Sequence, residues 1–243
     1  MTAETMLREK LATCTRVVAM QGLIGVFGHV SAYDPGSKRV FLSPGMGSDR
    51  STTKGEDVFV LDAGGKILEP GDGDVPIEWP IHTAIHAARP DVLAVAHLHS
   101  PYATLFAIAD RPFQPVTLQG ALFAEGIPFY RQVNLVKTAA QGGQLVQVMG
   151  DKRAVLMRGH GAVVGARDLE EVLFCALVLE DDACKTMQAA TLGKVGTISL
   201  EECRAFDAES GLRRRAHRAW DYLAGLEARW DRQMSTGKIV LFP

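Results

Sequence analysis

Apolar and polar positions alternate along this chain in two rhythms, one typical of helices and one typical of strands. From Ala3 to Gln21, apolar residues recur every three or four positions, which predicts an amphipathic helix that ends at Gly22. The same rhythm predicts further helices over 78–88, 101–109, 139–149, 168–190, 199–210 and 212–232. A short apolar segment from Ile239 to Phe242 follows the last of them.

Short apolar runs bounded by glycine, proline or aspartate predict strands between these helices. They cover residues 28–31, 39–43, 57–61, 66–68, 95–100, 154–158 and 162–164. The runs at 57–61 and 66–68 predict a hairpin, and the run at 162–164 is placed to pair back on 154–158. Because no repeat, low-complexity tract or linker interrupts the pattern, we expect a single domain over residues 1–243.

Composition narrows the class of protein. The 243 residues are 47% hydrophobic and 22% charged, and the formal net charge is -2. Nucleic-acid binding needs clustered positive charge, so we expect no nucleic-acid partner. No apolar run approaches the ~20 residues of a membrane span, and Arg8, Glu9 and Lys10 argue against a signal peptide. The four cysteines lack Cys-x-x-Cys spacing, which favours reduced thiols and a cytoplasmic location.

The segment from Val95 to Ser100 carries the clearest chemical signal. Side chains alternate across a strand, so His97 and His99 share one face, roughly 6.6–6.8 Å apart along the backbone. Two neutral imidazoles that converge on one point suit a divalent transition metal with an open coordination position. A pair of solvent-facing histidines near a strand end is the alternative, and the spacing alone does not separate the two.

Further histidines and one carboxylate lie elsewhere in the chain. His160 stands between two glycines at a strand end, where nothing beside it packs, which favours a ligand role. Glu78, His82 and His86 fall on one face of the helix at 78–88. His82 and His86 have the spacing of a zinc-protease helix, but Thr83 stands where that motif needs its glutamate base, which argues against a metalloprotease. The alternative to a ligand role for His86 is that its side chain simply packs against the sheet.

The order and spacing of four segments resemble the class II aldolase/adducin-head family. The segments are Gly28-His29-Val30-Ser31, Glu78, His97-Leu98-His99 and Arg158-Gly159-His160-Gly161. The family includes fuculose-phosphate aldolase, ribulose-phosphate 4-epimerase and several metal-dependent decarboxylases, and the resemblance covers roughly residues 7–190. It implies an α/β fold, namely a three-layer α/β/α sandwich with a central, largely antiparallel mixed sheet flanked by helices.

The resemblance also implies a site. The family's metal ligands fall on His97, His99 and His160, which would hold one divalent ion per subunit, with zinc or manganese expected first and cobalt or iron as further options. The family's acid/base carboxylate falls on Glu78. Tyr130 lies in a region where members send a tyrosine into the neighbouring subunit's site, so it is a second expected catalytic residue. Relatives are commonly fourfold-symmetric, and we therefore expect a homotetramer with sites between subunits.

Departures from the family pattern narrow the substrate. Sugar-phosphate members carry a Ser-Ser pair before the catalytic glutamate, where this chain has Pro76-Ile77. The site thereby loses two side-chain donors and one backbone donor, so a phosphate dianion would be poorly paired there. The aldolases commonly have an asparagine after the glycine that corresponds to Gly28, and this chain has His29 at that position. The substrate is therefore expected to lack a phosphate.

The remaining expectations concern substrate binding, for which the candidate residues are Gly28, His29, Ser43 and Arg158. His29 and Arg158 are cationic or donor-capable and suit a small carboxylate. Pro76-Ile77 and Trp79 would form an apolar wall for a flat aromatic body. The sequence leaves open whether Trp79 and Arg158 are structural instead.

This composition resembles the family branch that decarboxylates hydroxylated aromatic acids through a metal-stabilised enolate or phenolate. We therefore expect a metal-dependent lyase of aromatic-compound catabolism. One alternative is a class II aldolase or epimerase acting on a non-phosphorylated sugar or keto acid. Two others are a metal-dependent hydrolase with Glu78 as base and a non-catalytic, adducin-like binding module.

Overall fold

The computed structural model describes residues 1–235, and the apolar segment predicted at 239–242 lies outside the described residues. The helices are α1 (Ala3–Met20), α2 (Trp79–Ala88), α3 (Ala103–Ile108), α4 (Ala139–Met149), α5 (Leu169–Leu192), α6 (Leu200–Ser210) and α7 (Leu212–Ser235). The strands are β1 (His29–Asp34), β2 (Arg39–Leu42), β3 (Phe59–Asp62), β4 (Ile67–Glu69), β5 (Ala94–Leu98), β6 (Phe129–Tyr130), β7 (Ala154–Met157) and β8 (Gly161–Ala166).

All eight strands form one sheet in the order β4-β3-β2-β1-β5-β8-β7-β6. Every neighbouring pair is antiparallel except β6 and β7, which are parallel. The predicted hairpin of β3 with β4 is confirmed, and β8 pairs back on β7 as expected. The structure therefore confirms the largely antiparallel mixed sheet.

Helices cover both faces of the sheet. On one face, α1 and α5 pack apolar side chains such as Val18 and Leu179 against Ala96 and Leu98 of β5. On the other face, residues of α2 and α4 such as Ile85 pack against Val95 of the same strand. Because side chains alternate along β5, His97 lies on the α2 side together with Val95. The three-layer α/β/α sandwich is thus confirmed, and α2 covers the face that carries His97.

Helix ends follow the expected end signals. Glu78 immediately precedes α2, and Pro80 lies in its first turn, where a missing amide hydrogen costs nothing. Asp168 caps α5 by accepting a hydrogen bond from the Glu171 amide, and Ser199 with Glu202 forms the capping box of α6. Some predicted strand boundaries were wrong by two residues. Asp57 lies in a short 3-10 turn, so β3 begins only at Phe59, and β5 ends at Leu98 instead of Ser100.

All four cysteines are free thiols, of which three are buried and Cys184 is half-buried. Burial raises the pKa of the Cys14 and Cys175 thiols to about 12, so both stay protonated. The expectation of unpaired thiols is confirmed. Among the described residues, no helix combines the length and the apolar character that a membrane crossing requires.

Candidate metal centre

The end of β5 carries the first two members of the site. His97 is the fourth residue of β5 and is completely buried, whereas His99 lies just beyond the strand and is half-buried. Their ring centroids are 5.0 Å apart. Nδ1 of His97 lies 3.2 Å from the Ala162 carbonyl oxygen, which can only accept, so Nδ1 carries the proton. In the neutral ring, Nε2 then presents a lone pair to the site.

His160 joins these two from the turn between β7 and β8. Its ring centroid lies 4.9 Å from that of His97 and 5.1 Å from that of His99. The next residue must be glycine, because a Cβ on Gly161 would lie 2.1 Å from the Leu98 carbonyl oxygen. The close approach of this turn to the end of β5 brings the third imidazole within reach of the other two. One nitrogen from each of the three rings falls within 4.8 Å of the others.

Glu78 completes the cluster from the start of α2. Its Oε1 accepts a hydrogen bond of 2.9 Å from the Val136 amide. Its Oε2 lies 3.4 Å from Nε2 of His97 and 3.3 Å from Nε2 of His160. Burial raises the pKa of the Glu78 carboxyl, but its contacts with His160, His97 and the Val136 amide outweigh burial and hold that pKa well below its usual range. Glu78 is therefore a carboxylate in this site.

The donor set suits a cation. Nε2 of His97 is buried and has no hydrogen-bond partner among the described residues, yet it faces a carboxylate oxygen. Two electron-pair donors that face each other need a positive charge between them. Donor atoms about 2.1 Å from a tetrahedral ion lie about 3.4 Å from one another, which agrees with the two separations from Glu78. Three imidazoles and one carboxylate are typical ligands of a divalent transition metal.

Partial burial keeps His99 neutral. Desolvation, followed by the neighbouring His97 and His160, lowers the pKa of His99 to about 4. Phe27 packs beside it, with ring centroids 5.4 Å apart. A neutral imidazole is the form that binds a metal, so His99 is available as a ligand at neutral pH.

His29 and Gly28 lie next to this cluster. His29 begins β1 and stands directly opposite His97 in the register of β1 with β5. Gly28 has a φ of +93°, and a Cβ there would lie 2.9 Å from the His97 carbonyl oxygen, so only glycine fits this approach. His29 is buried, and desolvation, reinforced by His97, places its pKa well below the ordinary value. Burial thus favours the neutral form of His29 over the cationic one, and its expected role in binding the substrate stays a prediction.

The other predicted residues lie outside the cluster. The Ser43 side chain is fully buried and accepts a hydrogen bond from the Val30 amide, so it does not reach the cavity. Arg158 is exposed, and its guanidinium has no hydrogen bond or ion pair among the described residues. Tyr130 is 1% exposed within the core, and its hydroxyl donates to Gln132. The roles expected for these three residues stay predictions. The buried ring of Tyr130 argues against its expected role as a second catalytic residue.

A cavity of about 540 Å³ opens beside Glu78 and His29. The expected apolar wall is present, since its lining includes Pro76, Ile77 and Trp79. Phe27 and Met46 add further apolar surface and are 57% and 55% exposed. The cavity thus brings a largely apolar surface together with Glu78 of the candidate metal centre.

Arg50 also lines this cavity, although it is not among the residues predicted from the sequence. Its side chain is 4% exposed, and its terminal nitrogens donate to the carbonyl oxygens of Ser48 and Val26. Nε has no partner, and no carboxylate is bound to the guanidinium within the described part of the chain. A lone arginine in a loop rich in serine and aspartate carries no periodic signal, so only the folded chain reveals that it is buried at this site.

Comparison with known proteins identifies the family and the fold. The family described as Class II Aldolase and Adducin N-terminal domain matches residues 9–187. The chain is 30% identical over 197 residues to a 3,4-dihydroxyphthalate decarboxylase of Rhodococcus jostii, covering 76% of this chain and 81% of that one. It is 29% identical to a 5-deoxy-D-ribulose 1-phosphate aldolase of Bacillus thuringiensis, covering 70% and 83%. An aldolase II superfamily protein from Pseudomonas syringae has the same fold, with a TM-score of 0.82, 22% identity and coverage of 94% and 95%.

Proposed function

The chain belongs to the class II aldolase and adducin N-terminal domain family, and on that basis we propose that it is a metal-dependent decarboxylase of a hydroxylated aromatic carboxylic acid. The observation that carries the proposal is the placement of Glu78, which lines a largely apolar cavity and has one carboxylate oxygen 3.4 Å and 3.3 Å from two histidine nitrogens. The relative from Rhodococcus jostii supports the choice of a decarboxylase over other lyases.

His97, His99 and His160 would hold one divalent ion, with zinc or manganese as the first candidates and cobalt or iron next. When bound, the ion would act as a Lewis acid on an oxygen beside the bond that breaks. Glu78, which lies beside His97 and His160, would be the residue that moves protons. We propose that these residues act in a single domain spanning residues 1–243, in a cytoplasmic homotetramer.

The proton path follows from the ionised state of Glu78. Its carboxylate would accept the proton of a ring hydroxyl and return it to the ring carbon that carries the departing carboxylate. That carboxylate is then β to a carbonyl, so the carbon–carbon bond breaks, carbon dioxide leaves, and the electron pair returns to the ring oxygen as a phenolate. A solvent proton finally converts the phenolate to the phenol. No oxidant or reductant is needed.

Arg50 is the residue we assign to the substrate carboxylate, in place of His29. It is a buried cation without a bound anion at the cavity, and a carboxylate there would form a charge-assisted hydrogen bond. The apolar lining by Pro76, Ile77 and Trp79 suits the flat ring. No serine pair that could hold a phosphate precedes Glu78.

A class II aldolase acting on a non-phosphorylated sugar or keto acid is the second candidate. The aldolase relative from Bacillus thuringiensis favours it, and the same carboxylate would move a proton to or from a carbon beside a carbonyl. The two candidates differ in the product that is released, and the assay below separates them.

The test measures carbon dioxide release from ortho-hydroxylated aromatic dicarboxylic acids by protein reconstituted with zinc, manganese, cobalt or iron. Metal-dependent release that disappears in His97→Ala establishes the decarboxylase. His97→Ala should also bind less metal, as measured by elemental analysis of the purified protein. His217→Ala is the matched control, because His217 is exposed and pairs with Glu170 away from the site. Cleavage of a hydroxyketone without carbon dioxide release assigns the chain to the aldolase branch.

A further inference from the structure

A chain of hydrogen bonds runs from the candidate metal centre into the interior between α2 and the sheet. His29 Nδ1 lies 2.6 Å from His82 Nε2, and His82 Nδ1 lies 2.6 Å from Ser31 Oγ. Ser31 Oγ lies 2.9 Å from His86 Nε2, and His86 Nδ1 lies 3.0 Å from the Val92 carbonyl oxygen. We call His29, His82, Ser31 and His86 the histidine relay. The decarboxylation steps above do not use His82, Ser31 or His86.

The backbone carbonyl at the far end sets the direction of every bond. The Val92 oxygen can only accept, so His86 donates from Nδ1 and its neutral ring accepts at Nε2. Ser31 must then donate its single hydroxyl proton to His86. Since that proton is used, Ser31 can only accept from Nδ1 of His82. The neutral His82 ring therefore accepts at Nε2, and His29 donates to it from Nδ1.

The interior keeps these rings neutral. His82 is completely buried and His86 is 5% exposed. Within residues 1–230, no carboxylate forms a hydrogen bond or an ion pair with His82 or His86. A buried charge without such a partner is costly, so a neutral ring with one proton is the favoured form at both positions. Each ring in the relay then carries its proton on Nδ1.

We propose that the histidine relay fixes the tautomer of His29, so that Nε2 of His29 faces the substrate as a hydrogen-bond acceptor and selects a substrate that carries a free hydroxyl group. His29 lines the cavity and groups with Glu78 and His97, and Nδ1 is already bound to His82, so Nε2 is the nitrogen left for the site. His82, Ser31 and His86 are positioning residues. The substrate preference rests on the proposed function, whereas the fixed tautomer does not.

An acceptor at this position has a consequence for specificity. A phenolic hydroxyl can donate to Nε2 of His29, whereas a methyl ether or a bare carboxylate offers it no proton. A ligand without that proton would leave a buried acceptor unpaired, which weakens binding. The proposal therefore favours a polyhydroxylated ring, with one hydroxyl for Glu78 and another for His29.

The first test is nitrogen NMR of histidine-labelled, metal-free protein, in which protonated and unprotonated ring nitrogens have distinct shifts. Signals are assigned by replacing one histidine at a time. We expect His29, His82 and His86 all to carry the proton on Nδ1 and to have an unprotonated Nε2. A proton on Nε2 of His29 overturns the proposal, whatever reaction the protein catalyses.

The second test breaks the relay with Ser31→Ala, which leaves His82 Nδ1 without its acceptor. His86 should keep its proton on Nδ1, because its bond to Val92 is intact, while His29 and His82 become mixtures of tautomers. Thr15→Val is the matched control, since it removes a buried hydroxyl that donates only to Leu11 within α1. Unchanged tautomers of His29 and His82 in Ser31→Ala would refute the relay.

The third test uses calorimetric binding of 3,4-dihydroxybenzoate and its two monomethyl ethers to the zinc-loaded protein. We expect wild-type protein and Thr15→Val to prefer the dihydroxy compound over at least one ether by roughly tenfold, the worth of one good hydrogen bond. Ser31→Ala should lose most of that preference. A preference that survives in Ser31→Ala at full size would overturn the selective role of His29, and it would leave the decarboxylase assay unaffected.

Discussion

Oε2 of Glu78 and Nε2 of His97 face each other at 3.4 Å, although each atom presents an electron pair. The Ala162 carbonyl holds the His97 proton on the opposite nitrogen, and the Val136 amide holds the other Glu78 oxygen, so neither group can turn away without losing a hydrogen bond. The fixed positions of these two atoms define where an ion or a transferable proton must lie. It is the basis of the first prediction.

Glu78→Gln should reduce turnover at least a hundredfold while the protein keeps its metal. The amide has almost the shape of the carboxylate and can still accept from the Val136 amide, but it cannot take up a proton at the substrate. Steady-state kinetics and elemental analysis on the same sample measure the two effects. Substantial activity with metal retained would remove Glu78 from the acid/base role.

Arg50→Met should raise the KM of the carboxylate substrate at least tenfold, because a buried charge-assisted hydrogen bond is lost. Arg158→Met is the matched control, since Arg158 is exposed and has no ion pair among the described residues. Thermal unfolding of both variants checks that the Ser48 and Val26 contacts of Arg50 are not the cause. A KM that responds to Arg158 and not to Arg50 would restore the assignment made from the sequence.

Gly161→Ala should destabilise the protein and weaken metal binding together. The added Cβ would lie 2.1 Å from the Leu98 carbonyl oxygen, so the turn that carries His160 must move away from β5. Gly143→Ala is the control, because that glycine lies within α4 with open space around it and should stabilise by about 0.5–1 kcal/mol. Denaturant unfolding and zinc titration measure both effects. Normal zinc affinity in Gly161→Ala would show that the turn does not position His160.

Stability should fall as the pH is lowered from 6.5 to 4, and His86 should account for part of this fall. Burial lowers the pKa of His86 to about 4 in the folded chain, whereas the unfolded chain has an ordinary value near 6.5. Below pH 6.5 the unfolded state therefore binds the proton first, which favours unfolding until the folded pKa is passed. The contribution reaches about 3 kcal/mol at 1.36 kcal/mol per unit.

Denaturant unfolding of metal-free protein between pH 7 and pH 4 measures this contribution. His86→Gln should show a shallower loss of stability than wild type, because it has no titrating group at that position. His217→Gln should follow the wild-type curve, since that side chain is 61% exposed. Equal slopes for His86→Gln and wild type would contradict a neutral, buried His86.

The sequence predicted the parts of this site that depend on local pattern. His97 and His99 could be placed together because strand alternation fixes their spacing, and the glycines around His160 marked a turn rather than core packing. Arg50 could not be found, because its burial depends on contacts with Ser48 and Val26 that no periodicity encodes. The sequence also could not decide between a cationic and a neutral His29, since that choice depends on burial and on neighbours from other segments.

In the fold, too, the features encoded by local sequence pattern were predicted and those set by contacts between distant segments were not. Helices with clear periodicity and end signals, such as α1 and α4, lie within a residue or two of their predicted bounds. The parallel pairing of β6 with β7 was not predicted, because β6 has only two residues, Phe129 and Tyr130, and is held by its neighbour rather than by its own pattern. The burial of Tyr130 follows from that pairing.

The sheet order also determines when this site can exist during folding. β1 pairs with β5, and β5 with β8, although the members of each pair lie far apart along the chain. Joining such distant segments is slow, because loop closure costs entropy before the new contacts form. Glu78, His97 and His160 can therefore meet only after these central strands have paired. Acquisition of the ion would mark the completion of folding rather than its nucleation.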